Sequence, residues 1–349
     1  MRRGLKTTLV MLTGAALTLS AGACGGKKAT TGGDSGEGAK KTVKVGLAYD
    51  IGGRGDKSFN DAAFAGLDRV KQNLNLEIKD IEATKNETDN DKIQRLDLLA
   101  KSGYNPVIAV GFAYAGALGK VAPKHPNTKF GIVDDGSVEG PNVTNLLFAE
   151  EQGSYLVGAA AAQKSESGKI GFIGGVDTPL IKKFEAGYVA GAKKAKPDIK
   201  IDVKYISRGT DFSGFTDPAK GKTIAQGQYD GGADVIYHAA GLSGLGLFQA
   251  AAAEKKFAIG VDSDQYQNAE ADQKPYIITS MLKRVDTAVY NFVEDTNKGT
   301  VKAGPVIFDL KNQGIDYSKA NTEAIAGLQA KMDEYKQEII DGKITVPTK

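Results

Sequence analysis

Along residues 42–349, short apolar runs rich in Val and Ile alternate with longer stretches whose apolar positions recur every three to four residues. Val43 to Ala48 (VKVGLA) predicts a strand. From Asp61 to Asn73, Ala62, Phe64, Ala65, Leu67 and Val70 fall on one helical stripe. Leu76 to Ile81 predicts a strand, Asp89 to Ser102 a helix carrying Ile93, Leu96, Leu98 and Leu99, and Val107 to Gly111 a buried strand. A helix around Ala115 to Val121 and a strand from Lys129 to Val133 follow. Strands that are apolar throughout and separated by helices indicate a parallel sheet covered on both faces.

The pattern then restarts. Helices are expected at Ser154–Lys164, Lys182–Ala195, Lys220–Tyr229 and Gly244–Lys255. Strands are expected at Lys169–Ile173, Ile199–Ile206, Asp234–Tyr237 and Phe257–Val261. Two successive doubly wound α/β units emerge. Strands at Tyr276–Met281 and Val306–Leu310 flank a helix at Val285–Lys298, and Thr322–Asp341 predicts one last helix.

The first 24 residues follow a different pattern. Arg2, Arg3 and Lys6 precede the apolar stretch Leu9 to Leu19, and the small residues Ser20 to Ala23 lead to Cys24. This is the layout of a secretory signal peptide over 1–23, with an apolar stretch shorter than the about 20 residues a spanning helix needs. Cys24 stands where cleavage would occur, as in the lipobox of bacterial lipoproteins, with Ala21 in the place usually held by Leu. Cys24 is therefore expected to carry a lipid, anchoring an exported chain to the outer face of the cell membrane. The Arg2-Arg3 pair also resembles a twin-arginine signal, so either general or twin-arginine export fits. Gly25 to Lys41 contains no Leu, Ile, Val or aromatic residue, and such a segment acts as a flexible tether spanning roughly 20–25 Å.

Charge changes its meaning once the leader is set aside. The formal +3 comes from three of the 45 basic residues lying in the leader; 42 remain against 42 acidic ones. A neutral mature chain gives no bulk electrostatic case for nucleic acid. With one cysteine and two isolated histidines, His125 and His238, neither a disulfide framework, a metal site nor a nucleophile–base pair is expected. No cofactor is expected either.

In open α/β sheets ligands bind beyond the carboxyl ends of the strands. Asp50 through Asn60 follows the first strand, Asp134 follows Val133, and Phe215 lies in the loop after Ile206. Gly241 follows the Tyr237 strand, Asp262 follows Val261, and Lys283 follows Met281. Phe59 and Phe215 suit the walls of a planar ring. The Asn60 amide suits a heterocycle edge, and Asp134 suits a ring N–H. Asp50, Asp262 and Lys283 suit sugar hydroxyls. Phe184 competes with Phe215 as second wall. Asp56 and Asp61 read as helix caps. The GxxGxG spacing of Gly241, Gly244 and Gly246 matches neither the dinucleotide fingerprint nor a P-loop.

Several segments together carry a resemblance: VGLAYDIGGRGDKSFND at 45–61, FGIVDD at 130–135, GSYLVGAAAA at 153–162, KIGFIGG at 169–175, FEAGYVAGAK at 184–193, FTDPAKGK at 215–222, GADVIYHAAGLSGLG at 232–246, IGVDSDQ at 259–265 and TSMLKRVDTAVY at 279–290. The chain resembles the basic membrane protein family, nucleoside-binding lipoproteins that serve ABC importers. The resemblance implies a type I periplasmic-binding-protein fold, with two doubly wound parallel-sheet lobes joined by a three-stranded hinge. It implies an N-terminal lobe of 42–150 plus about 284–305 and a C-terminal lobe of 151–283 plus about 306–349, with crossings near Glu150, Met281 to Arg284, and Ala303 to Val306. It also implies base contacts from Phe59 and Asn60, further site positions at Asp50 and Asp134, and ribose-side contacts from Asp262 and Lys283. The expected function is capture of a nucleoside, with a purine favoured, by a monomer that delivers it to an ABC permease. The alternatives are a ligand-sensing lipoprotein of the same fold, or another small ligand. An enzyme such as a nucleoside hydrolase would need closely spaced Asp ligands near the N-terminus, where only Asp50 stands before Ile-Gly-Gly.

Overall fold

A computed structural model describes residues 43–84 and 87–349. The expected signal peptide, Cys24 and the tether lie outside the described residues.

The first lobe follows the predicted alternation: β1 (Lys44–Ala48), α1 (Phe59–Leu74), β2 (Glu77–Ile81), α2 (Asp89–Lys101), β3 (Val107–Ala109), α3 (Ala115–Val121), β4 (Phe130–Val133) and β5 (Val143–Phe148). The second repeats it with α4 (Glu150–Lys164), β6 (Lys169–Asp177), α5 (Pro179–Ala195), β7 (Lys200–Arg208), α6 (Pro218–Asp230), β8 (Val235–Ala239), α7 (Leu245–Glu254), β9 (Phe257–Asp262), α8 (Gln265–Asn268) and β10 (Ile277–Lys283). The chain ends with α9 (Val285–Lys298), β11 (Gly304–Phe308), β12 (Ile315–Tyr317), α10 (Thr322–Ile325) and α11 (Gln329–Ile340).

Local chemistry explains several boundaries. Thr88 and Asp91 form a reciprocal capping box at the start of α2. Thr178 and Asp217 cap α5 and α6, each followed by a proline that is tolerated at the first helical position.

The strand order is β11-β5-β4-β3-β1-β2 in one sheet and β12-β10-β9-β8-β6-β7 in the other. Without the added edge strands β11 and β12, both lobes share one doubly wound order, so the direction of winding reverses between β1 and β3 and between β6 and β8. All pairings are parallel except that of β10 with β12. The chain passes between the sheets between β5 and α4, between β10 and α9, and between β11 and β12.

Four differences from the sequence expectation have physical causes. Strand β5, unexpected from sequence, has Asn and Thr at its centre; Asn145 and Thr144 are buried and donate to the carbonyls of Asp135, Val138 and Lys302. Strand β6 runs on to Asp177 instead of ending at Ile173. A Cβ at Gly174 or Gly175 would lie 2.4 Å from the rings of Tyr205 and Phe215 respectively, so the strand continues where neighbouring rings take the side-chain space. The last return between lobes comes after Phe308 rather than at Ala303 to Val306, because Gly304 to Phe308 pair with Thr144 to Phe148. The terminal helix is interrupted at 326–328, where Leu328 turns into the core.

Candidate functional site

The carboxyl ends of the two sheets face each other across a cavity lined from both lobes. From the first lobe, Asp50 after β1, Phe59 and Asn60 at the start of α1, and Asp134 after β4 line it. From the second, Phe215 before α6, Gly241 after β8, Asp262 on β9 and Lys283 on β10 line it. All eight sequence-predicted positions meet here, and so does Phe184 from α5.

The first-lobe side is a chain of hydrogen bonds. The Asp56 carboxylate accepts from the backbone N–H groups of Ser58, Asn60 and Asp61, closing the start of α1. It also accepts from Asn60 Nδ2 at 3.2 Å. Asn60 Oδ1 in turn accepts from the Asp50 backbone N–H at 3.0 Å. Most of the Asn60 amide is thus committed to holding the β1–α1 loop, leaving one N–H and one lone pair. Asp56 is a cap, as its sequence suggests, and it also lines the cavity. The Asp50 carboxylate lies against Gly111, where a Cβ would come within 2.4 Å of it and φ is +98°; only glycine combines that space and conformation. Burial pushes Asp50 up to about 7. Behind it, Arg95 contacts Tyr114, whose hydroxyl donates to the Tyr49 carbonyl at 2.9 Å.

Lys283 is the centre of the second-lobe side. Its ammonium lies 2.5 Å from Asp134 Oδ2 and 3.4 Å from Glu150 Oε1, and all three side chains are nearly inaccessible. The rings of Phe59, Phe148 and Phe184 surround it, with centroids 5.1, 5.1 and 5.5 Å away. Burial alone would depress this lysine, but Asp134, Glu150 and Asp262 together outweigh it and raise its pKa. One ammonium serves three carboxylates. Asp134 is accordingly pushed up to about 7, chiefly by burial, against the pull of Lys283. Burial raises Asp262 as well. Asp134 and Asp262 close corresponding strands of the two lobes and both adopt left-handed backbone, φ 67° and 64°. That conformation is uncommon for a residue with a Cβ and concentrates at functional sites.

The lobes touch over the cavity. Ser58 Oγ donates to Asp262 Oδ2 at 2.5 Å, and Ser263 Oγ donates to the Ser58 carbonyl at 2.8 Å. Lys57 pairs with Glu270 at 3.0 Å. The Phe112 and Phe212 rings meet edge to face, 5.5 Å between centroids. Phe112, which the sequence reading passed over, also lines the cavity. It lies in the segment just after β3, so the strand-end rule applied to β3 would have found it.

The histidines have partners elsewhere. His125 contacts Asp97 at 2.7 Å, and the fully buried His238 contacts Gln265 at 2.9 Å. Burial holds His238 down at about 4, so it stays neutral. Among the described residues no group of three His, Cys, Asp or Glu is placed to hold a metal ion. No described helix is long and apolar enough to cross a membrane.

Two parallel-sheet α/β lobes closed over a cavity at their strand ends define a binding protein of the periplasmic type. The chain belongs to the Bmp family, described as ABC transporter substrate-binding protein PnrA-like, which matches residues 42–349. It is 34% identical over 361 residues to the ABC transporter nucleoside-binding protein BmpA of Lactococcus lactis subsp. cremoris, covering 99% of this chain and 100% of that one. It is 35% identical over 312 residues to an uncharacterized lipoprotein of Pyrococcus horikoshii, covering 86% and 74% of the two chains. Among solved structures, an ABC transporter solute-binding protein from Aeropyrum pernix K1 superposes with a TM-score of 0.76 at 30% identity, over 88% of this chain and 94% of that one. The family consists of substrate-binding proteins of ABC transporters, whose partners are a ligand and a permease.

Proposed function

We propose that this protein captures a nucleoside, with a purine as the preferred base, between its two lobes and presents it to an ABC permease. The carrying observation is that one cavity brings two chemistries together. Asp50 and the remaining Asn60 N–H offer directed hydrogen bonds, and the rings of Phe59 and Phe215 offer flat faces, which together suit a heterocycle. Asp134, Asp262 and Lys283 form a charged, buried group that suits vicinal hydroxyls. A relative described as nucleoside-binding supports the same ligand class. In this reading Gly241 allows close approach of the second-lobe backbone. The contacts between Ser58 and Asp262 form as the lobes close, a population shift driven by the ligand.

Titration calorimetry of residues 25–349 against nucleosides, free bases, ribose and amino acids tests the reading. Purine nucleosides bind and ribose alone does not; binding of sugars or amino acids alone would falsify it. We further propose export and a lipid on Cys24, supported by the leader pattern and by the lipoprotein description of a relative. Radioactive palmitate labels the protein and spares the Cys24→Ser variant; equal labelling of both rules the anchor out.

A further inference from the structure

Glu150 is the first residue of α4, immediately after the chain leaves the first lobe. It is fully buried and is not part of the cavity wall. Its Oε1 stands 3.4 Å from Lys283 Nζ and its Oε2 3.2 Å from Lys183 Nζ. Lys283 is the single cationic residue of the cavity wall, beside the carboxyls of Asp50, Asp56, Asp134 and Asp262. A cation facing four carboxyls has little field left for a ligand, and Glu150 draws on it from behind. Asp56 is compensated by three backbone N–H groups and Asn60, but Asp50, Asp134 and Asp262 have no other cation among the wall residues.

We propose that Glu150 is a specificity-determining residue that acts through Lys283: the wall already holds more carboxyls than cations, and by drawing on its one ammonium from behind Glu150 keeps that charge from offsetting them, so that the site accepts uncharged nucleosides and turns away their phosphate monoesters. Rejection is electrostatic, because a dianion placed among uncompensated carboxylates in a low-dielectric cavity is strongly disfavoured. A nucleotide source then has to pass first through hydrolysis of the phosphate monoester, which yields the nucleoside and inorganic phosphate. This inference rests on the nucleoside reading above.

The test compares a purine nucleoside with its 5′-monophosphate at pH 8, by calorimetry on residues 25–349 and on two variants. The unaltered protein is expected to bind the monophosphate at least about a hundredfold more weakly. Glu150→Gln keeps the shape, frees the field of Lys283 and narrows that gap by roughly tenfold. Lys183→Met removes the other cation on Glu150, strengthens its hold on Lys283 and widens the gap. A merely structural role for Glu150 would lower both affinities together and leave the ratio unchanged. Should Glu150→Gln fail to fold, Lys183→Met alone decides, since the Lys183 side chain is 34% exposed and not part of the cavity wall. A protein that binds neither compound overturns the nucleoside reading and this inference with it. One that binds the nucleoside but shows equal affinity for the monophosphate, or the same gap in every variant, overturns this inference alone.

Discussion

The two lobes share a strand order but bring different chemistry to the cavity. The first contributes Asp50, Asp56 and Asn60, wired together through backbone N–H groups and the Asn60 amide, and Asp134. The second contributes Leu180, Ile181, Phe184 and Phe215 together with small residues such as Ala239 and Gly241; among its charged wall residues are Asp262 and Lys283. One lobe therefore presents a polar edge already committed to a fixed geometry, and the other presents a largely apolar face. Equivalent positions in a duplicated architecture need not do equivalent work: Asp134 and Asp262 repeat each other in place and backbone conformation, but their surroundings diverge. Asp134 bonds to the ammonium of the opposite lobe, whereas Asp262 accepts from the first-lobe Ser58.

The division is tested most strongly at Lys283, the second-lobe cation on which the first-lobe acid Asp134 depends. Lys283→Met leaves Asp134 and Glu150 buried without their shared ammonium. Breaking a buried pair from one side typically costs about 3–5 kcal/mol. Urea unfolding at pH 8 should show a loss of that order together with loss of ligand binding. The deficit should shrink toward pH 6, where Asp134, left without its cation, can take up a proton. A loss below about 1 kcal/mol at pH 8 would mean that the first-lobe edge does not rely on the second lobe.

Titration separates the buried carboxyls from the buried imidazole by sign. Asp50 and Asp134 are pushed up to about 7 by burial. Their folded forms hold protons that the unfolded chain releases, so their contribution is complete below about 4 and is lost as pH rises through 7. His238 in the second lobe is held down at about 4. Its contribution is complete above about 6.5 and is lost as pH falls toward 4, because the unfolded chain then binds a proton that the folded one refuses. The span from 6.5 to about 4 corresponds to about 3 kcal/mol. Comparing His238→Gln with the unaltered protein between pH 7 and 4 should recover a difference of that order. Parallel stability curves for the two proteins would show that His238 titrates normally.

Much of this was legible in the residues. The alternation of apolar strands and amphipathic helices specified two doubly wound units, and the strand-end rule gathered Asp50, Asp134, Gly241, Asp262 and Lys283 from distant parts of the chain into one cavity. What stayed hidden was mostly tertiary. Glu150 stands before the expected start of its helix at Ser154 and carries no site signal until β10 brings Lys283 beside it. Gly174 and Gly175 lie beyond the expected strand end at Ile173, and only the rings of Tyr205 and Phe215 lying where Cβ atoms would be show why the strand continues. Strand β5 was missed because Thr144 and Asn145 are polar, and their buried partners come from elsewhere in the chain. Asn60 was legible as a site residue, but its commitment to Asp50 and Asp56 depends on the fold of the loop between them.

The aromatic walls sharpen the comparison further. Phe59 belongs to the polar lobe and also packs toward Lys283, while Phe215 covers Gly175 in the apolar lobe. If the two rings flank one base, Phe59→Ala and Phe215→Ala should each weaken nucleoside binding by about 1–3 kcal/mol, with little change for a ligand lacking the base. Loss at only one of them assigns the base to that lobe and leaves the other ring as packing.

The smallest effect is expected where the lobes meet in solvent. The Lys57–Glu270 pair joins the β1–α1 loop to the second lobe, but Glu270 is 68% exposed. An ion pair so open to water and salt contributes between nothing and about 1 kcal/mol. The nearby Ser58–Asp262 hydrogen bond makes the same crossing between buried partners, and hydrogen bonds to charged groups contribute about 1.5–3 kcal/mol. Glu270→Gln should therefore change ligand affinity by less than about 0.5 kcal/mol, and only at low salt, whereas Ser58→Ala should cost several times more and be insensitive to salt. The contrast follows from closure itself. A latch that must open for release cannot rest on contacts that water replaces at no cost, so the difference between open and closed forms has to be carried by groups that closure removes from solvent. A larger loss in Glu270→Gln than in Ser58→Ala would place the latch at the rim and detach lobe closure from the chemistry of the cavity.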